Sequence, residues 1–247
     1  MSQNKPRAST IYQANVLSER YFDVMLSDPG SLLLMFLQPL AVAICIGLVW
    51  QGGRTTGTLY FVLIFSAIFF GCVNACREIV KETAIFQRER LVGLRITPYI
   101  LSKIWVLSGL GLAQTLLFYT GVRYFLSLEG GMLTLLLTLY LSLLAGTALG
   151  LVISAAVSSD VMALALVPVC LIPQLLFSKM VMPQKALTGM VAWLEKSMIV
   201  RWSYQAMEEV VAKSPAWGTW LEGIAVLLMM SVLLTLFSGL ILRLKVS

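Results

Sequence analysis

The chain has 247 residues, of which 59% are hydrophobic and 12% charged, with a mean hydropathy of +0.88. Soluble domains carry roughly 25% charge, so the composition excludes a soluble fold, a disordered chain, a nucleic-acid binder and a disulfide-stapled secreted domain. What remains is an all-α polytopic membrane protein, and the net charge of +6 is first a statement about topology.

The first thirty residues are polar and mixed in charge, with no secretory signal expected. Within them, Thr10 to Ser27 reads as an amphipathic helix. Ile11, Ala14, Leu17, Tyr21 and Val24 make an apolar stripe, while Gln13, Arg20 and Ser27 mark a polar face. Asp28-Pro29 ends it, because the residue before proline avoids the helical region. Such a helix lies along a membrane surface, either as a plain anchor or as a lever against a cytosolic partner.

A bilayer core about 30 Å thick needs roughly 20 apolar helical residues. Six runs qualify: Leu32–Trp50, Leu59–Cys76, Ile104–Val122, Met132–Val157, Val161–Val181 and Trp220–Leu242. Helices are required because lipid cannot satisfy open backbone groups. No period-2 alternation suggests a barrel. Placing both termini in the cytosol puts eleven of the 18 Lys and Arg residues inside, six of them between Arg77 and Lys103. Five of the seven outside lie in one long segment from Lys179 to Lys213, which the positive-inside rule weighs less than short flanks.

Between the second and third spans, Arg77, Lys81 and Arg88 form one helical stripe and Glu78, Glu82 and Glu89 a parallel one, with Ile79 and Phe86 as an apolar edge. A charged helix continuing from the span, then Gly93, then Thr97-Pro98, predicts an elbow projecting into the cytosol. The alternative is a solvated loop whose exposed ion pairs contribute about 0–1 kcal/mol each. Ser158, Ser159 and Asp160 alone separate spans four and five, so a tight hairpin is expected, with Asp160 as the cap of the fifth helix. Gly146-x-x-x-Gly150 in span four is a close-packing face, and Pro168 and Pro173 are expected to kink span five. Gln38 and Gln114 read as interhelical hydrogen-bonding groups; Asn74 and Gln174 are the other mid-membrane polar residues. From Met182 to Gly218, the short run Met190–Leu194 and the aromatics Trp193, Trp202, Tyr204, Trp217 and Trp220 suggest an outer re-entrant or interfacial helical pair, or else a surface loop with an aromatic belt.

Cys45, Cys72, Cys76 and Cys170 sit in apolar runs, so no structural disulfide is expected. Histidine is absent, which removes the commonest general base and metal ligand. No catalytic residue, metal site or cofactor is expected on this chain.

Taken in order, these features resemble the type-2 ABC permease superfamily. They comprise Arg20…Asp28-Pro29, Gln38-Pro39, the run from Asn74 through Arg77-Glu-Ile-Val-Lys-Glu82, Ile85-Phe86-Gln87-Arg88-Glu89, Gly93, Tyr99…Lys103, and Arg201-Trp202-Ser203-Tyr204-Gln205-Ala206. Within the superfamily the chain is similar to the G-subfamily, or White-type, half-transporter membrane domain. Its nearest likeness is to bacterial permease domains fused behind forkhead-associated and ATPase domains. The resemblance divides the chain into residues 1–31, a tail with a connecting helix, and residues 32–247, a six-span permease domain with a coupling helix at about 78–92 and a re-entrant segment at about 183–214. No G-x-x-x-x-G-K-[ST] phosphate loop is present, so the ATPase, with its ATP and Mg, is expected on a separate chain.

The resemblance implies that Arg20, Glu78, Lys81, Glu82, Phe86, Arg88 and Glu89 couple to that ATPase. It implies a cavity between two permease copies lined by Ser66, Phe69, Phe70 and Asn74 of span two and by Leu166, Val169, Ile172, Pro173 and Leu175 of span five. Met180 and Val181 would form the outer gate, although Lys179 stands where relatives often carry a small residue. The implied partners are a second permease copy, two ATPase subunits and membrane lipid, with a periplasmic partner left open. The implied setting is the bacterial inner membrane. An apolar, aromatic lining favours a lipid-like, lipid-linked or drug-like cargo. Two rivals stand beside this reading, an ion-coupled carrier and a non-transporting membrane scaffold or sensor. The lack of a mid-span carboxylate argues against the carrier.

Overall fold

A computed structural model describes residues 10–51, 56–181 and 189–245. All regular structure among them is helical: α1 Thr10–Leu26, α2 Pro29–Trp50, α3 Gly57–Ala75, a 3-10 turn at Val80–Glu82, α4 Thr83–Leu91, α5 Ile96–Phe125, α6 Met132–Ala156, α7 Asp160–Leu176, α8 Met190–Lys196, α9 Ile199–Val211 and α10 Trp217–Lys245. Five helical segments among the described residues, starting at Pro29, Gly57, Ile96, Met132 and Trp217, are long and apolar enough to cross a membrane.

The segment expected as the fifth span, Val161–Val181, is helical only to Leu176. Its 17 residues rise about 26 Å, short of a full hydrocarbon core. Pro173 lacks an amide donor. Just beyond it, Ser178 ends the helix by donating its hydroxyl to the Leu175 carbonyl at 2.7 Å. At the other end the cap is Ser159, not Asp160: Ser159 Oγ accepts from the Met162 amide at 3.3 Å. Asp160 is the first helical residue, where its charge faces the positive end of the helix dipole.

Helix α2 starts three residues earlier than the apolar run predicts. Asp28 accepts from the Ser31 amide at 3.2 Å and from its hydroxyl at 2.6 Å, and Pro29 occupies the first helical position, where its missing amide costs nothing. These two bonds hold the Asp28 carboxyl below the usual carboxylate range. Helix α5 starts eight residues before the predicted span, so its first two turns belong to the elbow.

Helices α3 and α6 form the tightest seam of the bundle. A methyl group built on Gly146 would stand 2.2 Å from the Ile68 carbonyl oxygen, and one on Gly150 2.4 Å from that of Cys72. Gly71 answers from α3, where a methyl would lie 2.0 Å from the Leu143 oxygen. The small-residue face is therefore a backbone-to-backbone contact. Thr138, Ser142 and Thr147 on α6 are buried and return their hydroxyls to carbonyls of their own helix.

The buried residues fall into two clusters. The larger runs through α3, α6, α7 and α9. The smaller lies at the elbow end, where Leu17 and Tyr21 of α1 meet Ile79, Phe86, Tyr99, Leu151 and Leu242. Amphipathic α1 thus packs on protein through Ala14, Leu17 and Tyr21. Ile11 and Val24, expected on the same stripe, are exposed.

Candidate functional site

The elbow is built from a break, not from a continuous helix. After α3 the chain turns through Cys76–Ile79 into the 3-10 turn and then α4. A buried reversal leaves amides without helical partners. Ser154 of α6 meets two of them: its Oγ accepts from the Ile79 amide at 2.9 Å and from the Val80 amide at 3.0 Å. The sequence carries no local signal for this role, because Ser154 lies 75 residues away from Ile79.

The three elbow carboxylates are engaged within the chain. Tyr21 donates its hydroxyl to Glu78 at 2.6 Å, and Lys81 reaches the same carboxylate at 3.3 Å. Glu82 receives Lys103 Nζ at 2.7 Å and the Tyr99 hydroxyl at 3.3 Å. Glu89 takes the Arg20 guanidinium through two contacts, which raise the Arg20 pKa further. Burial, then Glu78, push the Tyr21 phenol well above its ordinary value. Lys103 is 1% exposed, with Nζ 3.4 Å above the Tyr21 ring centre, a cation–π geometry. Phe86 stacks on Tyr99 with ring centres 4.5 Å apart.

Of the residues expected to couple to a partner, Arg20, Glu78, Glu82, Phe86 and Glu89 clamp α1, the elbow and α5 into one body. Lys81 and Arg88, of the same expected set, are exposed, and beside them the elbow leaves Ile85, Leu91 and Val92 outward. Lys103 was legible in part, since Tyr99 and Lys103 stand four apart and share one helix face.

The expected cavity residues divide. Helices α3 and α7 are neighbours, and Phe69, Val169 and Ile172 point outward from them, the last two 60% and 55% exposed. Ser66, Asn74, Leu166, Pro173 and Leu175 are half-buried along the same pair. Phe70 turns inward, 1% exposed, edge-on to Phe118 at 5.2 Å. Asn74 donates its amide to Gln114 Oε1 at 2.6 Å, and Gln114 donates to the Met35 carbonyl at 2.9 Å, tying α2, α3 and α5 together. Gln114 is thus an interhelical group, as expected.

Met180 and Val181 stand exposed in the turn after α7, and Lys179 lies 3.8 Å from Glu208 of α9. Of the expected re-entrant segment, residues 183–188 lie outside the described residues. From Gly189 on it is a helical pair. Arg201 and Glu195 join α8 to α9 at 2.8 Å, and Trp202 Nε1 donates to the Lys196 carbonyl at 2.8 Å. Gln174 of α7 accepts from the Val200 amide at 3.3 Å, and Phe61 of α3 meets Tyr204 edge-on at 5.8 Å. The end of α7 that precedes Met180 and Val181 is therefore tied to the α8–α9 pair. Among the described residues no cluster of His, Cys, Asp and Glu could hold a metal.

Comparison with known proteins matches residues 12–211 to the family described as ABC-2 type transporter. That match runs from the first turn of α1 to the end of α9. A curated relative, ABC transporter ATP-binding/permease protein Rv1747 of Mycobacterium tuberculosis, is 29% identical over 165 residues, which is 63% of this chain and 19% of the relative. The chain spans about a fifth of that relative's length.

Proposed function

The chain belongs to the ABC-2 type transporter family, and from that premise we propose that it is the permease subunit of an ATP-driven exporter whose ATPase is a separate chain. Its place as a membrane permease domain follows from the family and from its apolar helices. The ATPase partnership, the cargo and the direction of transport are the proposal.

The observation that carries it is the clamped elbow. A push on the exposed Ile85, Arg88, Leu91 and Val92 reaches α1 and α5 together, because Glu78, Glu82 and Glu89 tie the elbow to both. The tip offers a partner apolar contact area, with the Arg88 charge setting register and steering more than raw affinity. ATP and Mg would be bound by the partner. ATP-driven closure of two ATPase subunits would move the elbow and shift the bundle between two packed arrangements. The unpaired apolar face of α3 and α7, with Phe69, Val169 and Ile172, would meet a second copy and line a cavity for an amphipathic, lipid-like or drug-like cargo. Met180 and Val181 would close its outer end. The positive-inside bias supports a cytosolic setting for the elbow, α1 and both termini, with α7 as a short sixth crossing and a bacterial inner membrane as the setting that the reading implies.

The test is reconstitution of the chain with its ATPase in vesicles. Vanadate-sensitive ATP hydrolysis stimulated by a lipid-like cargo, with transport unaffected by a proton uncoupler, supports the proposal. Transport that collapses with the uncoupler while ATP is intact favours the ion-coupled carrier. Hydrolysis with no movement of any cargo favours the scaffold.

A further inference from the structure

Away from the α3/α7 face, helices α5 and α10 form a wedge over α6. They touch near one pole: a methyl built on Gly239 would lie 3.9 Å from side-chain carbons of Ile96 and Ile100. Beyond that contact they part, and a groove of about 390 Å³ opens between Leu101–Ser108 of α5 and Leu228–Leu236 of α10, floored by Tyr140 and Leu144 of α6. Both walls belong to segments long and apolar enough to cross a membrane.

The groove is dry by construction. Ser108 donates its hydroxyl to the Trp105 carbonyl at 2.8 Å, Ser231 to Leu227 at 2.8 Å, and Thr235 to Ser231 at 2.7 Å. Tyr140 donates to the Ser108 carbonyl at 3.2 Å. Each hydroxyl is spent on backbone, so the groove offers hydrocarbon contact and no polar recognition. Trp105, 68% exposed, stands on its wall.

Cationic side chains stand past the closed end. On α10 the groove stripe of Leu228, Val232 and Leu236 continues at helical spacing through Gly239 to Arg243. On α5, Arg95 immediately precedes Ile96. Both arginines are exposed, and among the described residues neither forms an ion pair. Arg95 Nη1 donates to the Thr10 hydroxyl of α1 at 3.3 Å, a neutral partner that leaves its charge uncompensated, so the apolar slot ends near two cations without ion pairs and complements an anionic headgroup with an acyl chain.

We propose that this groove binds one anionic phospholipid of the bilayer, its acyl chain between Trp105 and Val232 and its headgroup on Arg95 and Arg243. The site is separate from the α3/α7 face and does not depend on the ATPase.

The test uses the full chain in vesicles of mid-chain-brominated phosphatidylglycerol or phosphatidylcholine, where bromine quenches nearby indoles. The Trp105 signal is taken as the difference between the wild type and Trp105→Phe. A preference for phosphatidylglycerol on the order of tenfold is expected from two surface cations. The double variant Arg95→Gln with Arg243→Gln brings that ratio close to one, and Ser231→Phe removes the quenching by filling the slot. Equal quenching by the two lipids overturns the proposal, as does a preference that survives the double variant. Protection of Trp105 from both lipids overturns it in favour of a protein segment in the groove. If Ser231→Phe does not fold, the arginine variants decide alone.

Discussion

Lys103 and Glu82 form an ion pair of 2.7 Å in which the lysine is almost wholly buried. Removing one partner of such a pair strands the other, at a cost of about 3–5 kcal/mol when burial is complete. Glu82 is partly exposed, so the lower figure applies. Glu82→Gln is expected to lower the thermal midpoint in detergent by an amount corresponding to about 3 kcal/mol. Glu82→Arg, which reads from sequence as a lesion of partner docking alone, should be worse, because it sets two cations together. Combining Glu82→Gln with Lys103→Met should recover most of the loss, and a double-mutant cycle measures it. Strict additivity would mean that the pair does not hold the elbow.

Ser154 supplies the only acceptor described for two elbow amides. Ser154→Ala leaves both unpaired in a buried site, a penalty of about 2 kcal/mol or more. Hydrogen exchange at Ile79 and Val80 should quicken, while amides in the middle of α6 stay protected. Unchanged exchange at the elbow would show that water replaces the hydroxyl without cost.

Much of this fold is legible in the chain itself. The apolar runs give α2, α3, α6 and α10, and the far end of α5, within about three residues, because bilayer thickness sets one length scale for all of them. Gly146-x-x-x-Gly150 marks the α3 seam, because only a missing side chain allows that approach. The site is less legible. Glu78, Glu82 and Glu89 look like a free charged stripe, and their partners Tyr21, Lys103 and Arg20 lie on other helices. The early start of α5 hides for a related reason: Tyr99 and Lys103 are polar by composition, yet buried by pairing. Phe70 and Phe69 are neighbours in sequence, and only packing decides which faces the core.

That difference predicts separable phenotypes on α3 and α7. Phe70→Ala deletes a core ring against Phe118 and should cost about 3–5 kcal/mol of stability. Ile172→Ala removes an outward side chain and should leave the midpoint almost unchanged, while altering cargo affinity or pairing of two copies. Stability measured beside cargo binding decides. A large stability loss at Ile172 in the isolated chain would contradict the assigned face.

Tyr21 yields a pH prediction with a definite sign. Its phenol is held well above its ordinary value by burial and by Glu78, so the neutral form belongs to the folded state. Its contribution is complete below the unfolded phenol value of about 10 and is lost as pH rises past it towards the folded value. Tyr21→Phe keeps the ring over Lys103 and removes the titration. The variant should therefore lose less stability than the wild type between neutral pH and pH ~11. Parallel alkaline declines would show that Tyr21 does not titrate with folding.

The central claim, that the clamped elbow receives the stroke of a separate ATPase, is tested most directly by photo-crosslinking in cells from an unnatural side chain at Leu91. The account predicts a product containing an ATP-binding subunit, lost when Glu82→Arg disrupts the elbow. A chain that transports cargo with no nucleotide-binding protein ever captured at Leu91, Val92 or Ile85 would contradict it.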